Sequence, residues 1–210
     1  PNYTDAAHMV AAQLRASGVR CVGSGHTDDE YYRELLLHSE WDGAVAVSDS
    51  IRAWLEPLAG DRPCETIAYG VPIADAPRRV PESGPLKYEY VGSGQQPQKR
   101  AMDLVPVVEG LADLGVEATL HVVGDGPALP GLRRALGLGV GSVRVRVHGP
   151  RPSAWVARFL PTVDVSLLVS EAEGTSISML EAMGAGVVPA VTRVSSGADE
   201  WVEEGVSGVT

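Results

Sequence analysis

The sequence predicts an α/β fold: a parallel sheet with helices on both faces, preceded by part of a second domain of the same kind. Two observations predict it. Short apolar strands alternate with helical stretches along the chain, and a proline-rich stretch interrupts the alternation once before it restarts. Strands that alternate with helices at this spacing are the pattern of βαβ units and a parallel sheet.

The elements follow in order. Residues 19–26, VRCVGSGH, read as a strand entering a loop. Residues 28–39 read as a helix, with Thr27 or Asp28 as N-cap and acids in its first turn. GAVAVS (43–48) is a short apolar strand, 49–58 a helix, and ETIAYGV (65–71) another strand. VPIADAPRRVPESGP (71–85) carries four prolines and no apolar period, the composition of a boundary. We therefore expect the end of a first domain at 1–75, a linker at 76–85 and a second domain at 86–210.

Beyond the linker, LKYEYVGS is a strand and 99–114 a helix, with Met102, Leu104, Val105, Val108 and Leu111 near helical spacing. EATLHVVGDGP gives a strand and turn, 128–136 a helix, and SVRVRVHGP a strand with period-two alternation. Helix 152–159, strand DVSLLVS, helix 175–184, strand GVVPAV and helix 197–204 complete the series. The chain opens on Pro1 and stops in what reads as the start of a strand, so a piece of a longer protein, cut in its last domain, is expected.

Composition narrows the function. The 210 residues are 44% hydrophobic and 21% charged, enough apolar matter for a sizeable core. The net charge of −10 argues against nucleic acid or an anionic membrane, both of which want a basic face. Cys21 and Cys64 make neither a disulfide scaffold nor a zinc spacing, and the default setting is reducing and cytoplasmic. No apolar run is long enough to span a bilayer.

The segment DVSLLVSEAEGTSISMLEAMGAGVVPAV (164–191) carries the chemistry. A buried strand ends at Ser170, a polar loop holds Glu173 and Gly174, and a helix begins near Thr175 or Ser176. Gly174 lets backbone approach a ligand, and the first helical amides favour an anion. Glu181 lies eight residues after Glu173. Carboxylates beside a phosphate would repel it, so these two should address neutral hydroxyls. A sugar and a ribose supply such hydroxyls, which points to a sugar-nucleotide diphosphate.

Two glutamates eight apart, then the small-residue turn of LEAMGAG and an apolar strand, resemble the signature of the retaining glycosyltransferases of family 4, which have two Rossmann-like domains (the GT-B fold). AVAVSDSIRAWL and ETIAYGVPI look like the last units of that family's N-terminal, acceptor-side domain. YVGSGQQPQKRAMDLVPVVEGL, HVVGDGPALPGL, VRVHGP and GADEWVEEGVSG follow in the order of its donor domain. The resemblance implies transfer of a sugar, of hexosyl type, from a nucleotide-diphosphate donor to an acceptor sugar, lipid or small molecule, with retention and without a metal. It implies that Glu173 binds donor sugar hydroxyls and Glu181 the ribose. Gly174, Thr175 and Ser176 would offer donors to sugar and diphosphate, and Lys99 would neutralise the distal phosphate. His26 would face the donor from the N-terminal domain. These residues alone would bind nucleotide without completing transfer. Any peripheral membrane contact would come through regions outside them.

One position departs from the family. Ser93 stands where the family usually has an arginine, six residues before the lysine. Rival readings on the same fold are a sugar-nucleotide epimerase and a non-catalytic nucleotide-sugar-binding relative. GSGQQPQ and GDGPALPG do not complete a dinucleotide fingerprint, and TDDE (27–30) reads as helix capping rather than a metal site.

Overall fold

A computed structural model of the chain describes residues 5–27, 30–37, 41–74, 84–94, 98–171, 173–193 and 197–210, and all of their side chains but those of 5–9, 30–32, 35, 197 and 199. Asp28 and most of the proline-rich stretch therefore lie outside the described residues. The chain divides into two compact units. Unit 1 comprises Pro1–Gly70, Ala172–Ser176 and Val194–Trp201, and unit 2 the remainder.

Unit 1 begins with α1 (Asp5–Ala16), which the sequence reading did not anticipate. Strands β1 (Val22–Gly25), β2 (Gly43–Ala46) and β3 (Cys64–Thr66) form a parallel sheet in that order. They are joined by α2 (Glu30–Leu37) and α3 (Asp49–Ala59). Ile51 and Leu55 on α3 are fully buried against Ala46 and Trp41. Ser48 caps α3 by accepting from the Ile51 amide, and Gly60 ends it at φ 60°. The Glu200 carboxylate accepts from the Asp49 and Ser50 amides at 3.0 and 2.7 Å, placing a negative charge at the positive end of the helix.

Unit 2 is a six-stranded sheet in the order β6-β7-β5-β4-β8-β9. Its strands are β4 (Leu86–Val91), β5 (Ala118–Val123), β6 (Gly139–Val140), β7 (Val143–Gly149), β8 (Val165–Leu168) and β9 (Val188–Val191). All pairings are parallel but β6–β7, a two-residue hairpin arm that sequence reading missed. Helices α4 (Leu104–Asp113) and α5 (Leu129–Leu136) cover one face through Leu104, Val108, Leu132 and Leu136. Helices α6 (Ser153–Phe159) and α7 (Ile177–Gly184) bring Val156 and Ala182 to a second core with Val123. The doubly covered parallel sheet is the expected fold class.

Three expected elements are clearly shorter than predicted. The strand expected at 65–71 is confined to Cys64–Thr66. The helix at 99–114 starts only at Leu104, after a 3₁₀ turn at Ala101–Asp103, because Arg100 sits in the left-handed region at φ 43° and cannot continue a helix. The helix at 197–204 is a single 3₁₀ turn, Gly197–Glu200.

Candidate functional site

The site residues fall in both units, and each part is built separately. In unit 1, β1 delivers His26 just beyond its last residue. The His26 imidazole is held at both nitrogens: Nε2 shares a hydrogen bond of 2.8 Å with the Ser24 hydroxyl, and Nδ1 bonds the Tyr69 hydroxyl. The two rings lie 5.9 Å apart at 24°. Burial pushes the His26 pKa below its ordinary value, so the ring is neutral at neutral pH.

The segment after Ala172 packs against this histidine. A Cβ on Gly174 would stand 2.0 Å from the His26 carbonyl oxygen and 3.1 Å from the Thr27 nitrogen, so only glycine fits. Glu173, Thr175 and Ser176 are buried beside it. The Thr175 hydroxyl donates to the carbonyls of Val47 at 3.1 Å and of Gly174 at 2.9 Å. Any donation from Thr175 to a ligand therefore falls to its amide. Sequence reading gave Tyr69 no role, since a tyrosine beyond β3 carries no motif.

In unit 2, the strand ends β4 and β5 lead into two loops locked together through glycine. A Cβ on Gly124 would meet the Gly92 oxygen at 1.9 Å, and one on Gly126 the Gly94 nitrogen at 2.6 Å. The Gly94 amide donates to the Asp125 carbonyl at 2.7 Å, and the Ala128 amide to the Gly94 carbonyl at 3.0 Å. The glycines that resemble half of a dinucleotide fingerprint thus serve backbone-to-backbone packing. Ser93 sits exposed on this loop, at the carboxyl edge where parallel sheets bind ligands, and its carbonyl accepts from the Tyr90 hydroxyl.

Lys99 is half-buried in the turn before α4, not in a helical first turn. The Gln98 carbonyl accepts from the Glu171 amide at 2.8 Å, which ties this turn to the loop after β8. Arg100 pairs with Asp103 at 2.6 Å. Glu181 is half-buried on the second turn of α7, beside a cavity lined by Pro72, Ile73, Leu160, Pro161 and Gly184. No group of three or more metal-ligating side chains occurs among the described residues.

Sequence reading also missed a buried polar cluster in the same sheet. Glu89 on β4 is fully buried, with Ser166 on β8 and His121 on β5 as register partners. Burial first of all, with a contribution from the Glu181 carboxylate, raises its pKa to about 7. The Ser166 hydroxyl acts in the opposite sense, yet neither Glu89 oxygen has a well-formed hydrogen bond among the described residues. His121 Nδ1 and His148 Nε2 lie 2.9 Å apart with their rings stacked at 9°, against Phe159 and Trp155. Burial first of all, together with His148 and Arg146, lowers the His121 pKa to about 4. The signal was present: Glu and His stand mid-strand in LKYEYV and ATLHVV, where a buried parallel strand is normally apolar.

Residues 87–210 match the family model described as glycosyl transferases group 1. The lipopolysaccharide 1,6-galactosyltransferase of Salmonella typhimurium strain LT2 is 30% identical over 69% of this chain and 38% of its own length. A putative colanic acid biosynthesis glycosyltransferase, WcaL, of the same organism is 27% identical over 96% of the chain and 54% of its own length. The chain thus spans about a third to a half of those relatives. Among solved structures, a point mutant of S. aureus TarM in complex with fondaparinux, α-GlcNAc-glycerol and UDP superposes with a TM-score of 0.74 at 18% identity, over 90% of this chain and 40% of that one.

Proposed function

Since this chain belongs to the group 1 glycosyl transferases, a family of GT-B fold, we propose that it forms the donor side of an enzyme that moves a hexosyl unit from a nucleotide-diphosphate sugar to an acceptor with retention of configuration. The observation that carries the reading is the segment from Glu173 to Glu181. A buried carboxylate at Glu173 and a second one eight residues on, with the start of a helix between them, support a ligand that carries both hydroxyls and a diphosphate. The UDP named in the TarM complex supports a uridine-type donor class on this fold.

In this reading Glu173 takes sugar hydroxyls and Glu181 the ribose. Lys99 and the amides of Gly174, Thr175 and Ser176 meet the diphosphate as negative charge builds on the leaving group. His26, neutral and held at both nitrogens by Ser24 and Tyr69, takes part as a fixed neutral ring rather than as a cation. The diphosphate leaves, an oxocarbenium-like carbon forms, and the acceptor hydroxyl attacks from the face the diphosphate leaves. The departing phosphate accepts the acceptor's proton and no protein nucleophile is assigned, while the amides and Lys99 supply the neutralisation that a metal would otherwise give.

The test is calorimetry with ribonucleotide diphosphates and their 2′-deoxy forms. Glu181→Gln is expected to weaken the ribo form and narrow its advantage over the deoxy form. An unchanged preference would remove Glu181 from the site.

A further inference from the structure

We propose that Glu89 is a positioning residue of the donor site: a neutral acid buried in the sheet on which α7 packs, it takes up a proton from solvent when a nucleotide-diphosphate sugar binds. This role rests on Glu181 meeting the donor ribose. Glu89 lies on β4, inside the six-stranded sheet, and has no exposed surface. Neither of its carboxyl oxygens has a well-formed hydrogen bond among the described residues. An ionised carboxylate without donors costs far more to bury than a neutral carboxyl, so such a group holds its proton. A buried parallel strand has no structural need of an acid at this position.

Side chains alternate between the faces of a strand, so Glu89 shares a face with Val91, which packs in the core that Ala182 of α7 enters. His121 on β5 and Ser166 on β8 stand on that face as register partners of Glu89. Lys87 is two residues back on β4, and Arg146 is the register partner of His121 one strand further out. The helix α6 and the 3₁₀ turn after it bring the apolar Val156, Phe159 and Leu160 to the same core. The acid that acts on Glu89 from α7 is Glu181, next to Ala182, and its carboxylate favours the protonated form. Burial keeps His121 neutral near neutral pH, so it adds no opposing charge there. Glu89 therefore senses negative charge gathered beside Glu181. A bound diphosphate adds to that charge, of which Lys99 offsets only part, and it excludes water. Both effects strengthen the repulsion of an ionised Glu89 and favour its protonation. With Glu89 neutral, Glu181 meets the ribose with no second carboxylate pushing on it.

Calorimetry with UDP-glucose tests the proposal, because a diphosphate esterified at both ends has no proton of its own to exchange near neutral pH. A rise of about one unit in the Glu89 pKa on binding makes affinity about fivefold higher near pH 6 than near pH 8. Titrations in buffers of different ionisation enthalpy should then show about half a proton taken up near pH 7.5. Glu89→Gln, an isostere of the protonated acid, should abolish the uptake and bind near pH 8 as tightly as the wild type does near pH 6. A residue that merely fills the core would give neither result. Infrared spectroscopy of the unliganded chain supplies a second measurement. The carbonyl band of a buried protonated carboxyl should fade as pH rises through about 7, be missing in Glu89→Gln and move its midpoint to lower pH in Glu181→Gln. A band absent near pH 6, a midpoint that ignores Glu181→Gln, or pH-dependent affinity that survives in Glu89→Gln would overturn the proposal and leave the donor reading standing. A band that titrates as described, in a chain that fails to bind UDP-glucose or binds it regardless of Glu181→Gln, would overturn the donor reading and the proposal with it.

Discussion

Glu89 on β4 and His121 on β5 stand opposite each other in register, two ionisable groups buried in one sheet. Both are neutral there at pH 5.5, because burial has raised one pKa from 4.5 to about 7 and lowered the other from 6.5 to about 4. In the unfolded chain at that pH both are charged. Folding therefore takes a proton up at Glu89 and releases one at His121.

The two linkages oppose each other. For Glu89 the folded pKa is raised, so its stability is fully present below pH 4.5 and is lost as pH rises toward 7. For His121 the folded pKa is lowered, so its stability is present above pH 6.5 and is lost as pH falls toward 4. Between these limits each contributes a slope of about 1.4 kcal/mol per pH unit, of opposite sign. Urea unfolding of the wild type should show little slope from these two groups, with a residual loss toward acid from His148, whose pKa burial also lowers. Glu89→Gln should expose the full loss toward acid, and His121→Gln a loss toward alkali. Two variants with the wild-type pH profile would show that neither group changes its proton affinity on folding.

Gly174→Ala places a methyl group 2.0 Å from the His26 carbonyl oxygen. Backbone must move, at a cost on the order of 1–3 kcal/mol. Donor binding should fall with stability, because the displaced loop carries Glu173 and Thr175. A variant of unchanged melting temperature and unchanged nucleotide affinity would contradict the packing described.

Lys99→Ala removes one charge-assisted contact to phosphate in the proposed site. The expected loss is on the order of 1.5–3 kcal/mol of nucleotide-diphosphate affinity, with little change for the free nucleoside. Calorimetry giving equal losses for both ligands would take Lys99 away from the phosphate.

Ser93→Arg should tighten nucleotide-diphosphate binding about tenfold, since a guanidinium fork replaces one neutral hydroxyl. Arg100→Ala should change it little. The reason is the ion pair that Arg100 makes with Asp103 and its left-handed backbone. Loss of binding in Arg100→Ala, with no gain in Ser93→Arg, would reverse the two assignments.

The sequence made the α/β alternation legible because each buried strand is a short apolar run and each helix carries its own spacing. It did not show that Lys99 precedes α4, since one left-handed residue, Arg100, interrupts a helical pattern without altering it. That Glu173 and Gly174 lie in a loop between a strand and the helix that carries Glu181 was legible from the local pattern. The packing of Gly174 on His26, and of Thr175 on Val47, depends on pairs distant in sequence that no local pattern encodes.

The carboxylate of Glu200 on the first amides of α3 bears on how this polypeptide can be dissected. Unit 1 is assembled from three separate stretches, so the chain passes between the units at 70/71, 171/172, 176/177, 193/194 and 201/202. No single proteolytic cut releases either unit whole. A peptide ending at Gly70 would leave the Asp49 and Ser50 amides without the acceptor they have here, and the Val47 carbonyl without Thr175. The loop at 173–176 is thus a structural component of unit 1, and removing it would unsettle that unit.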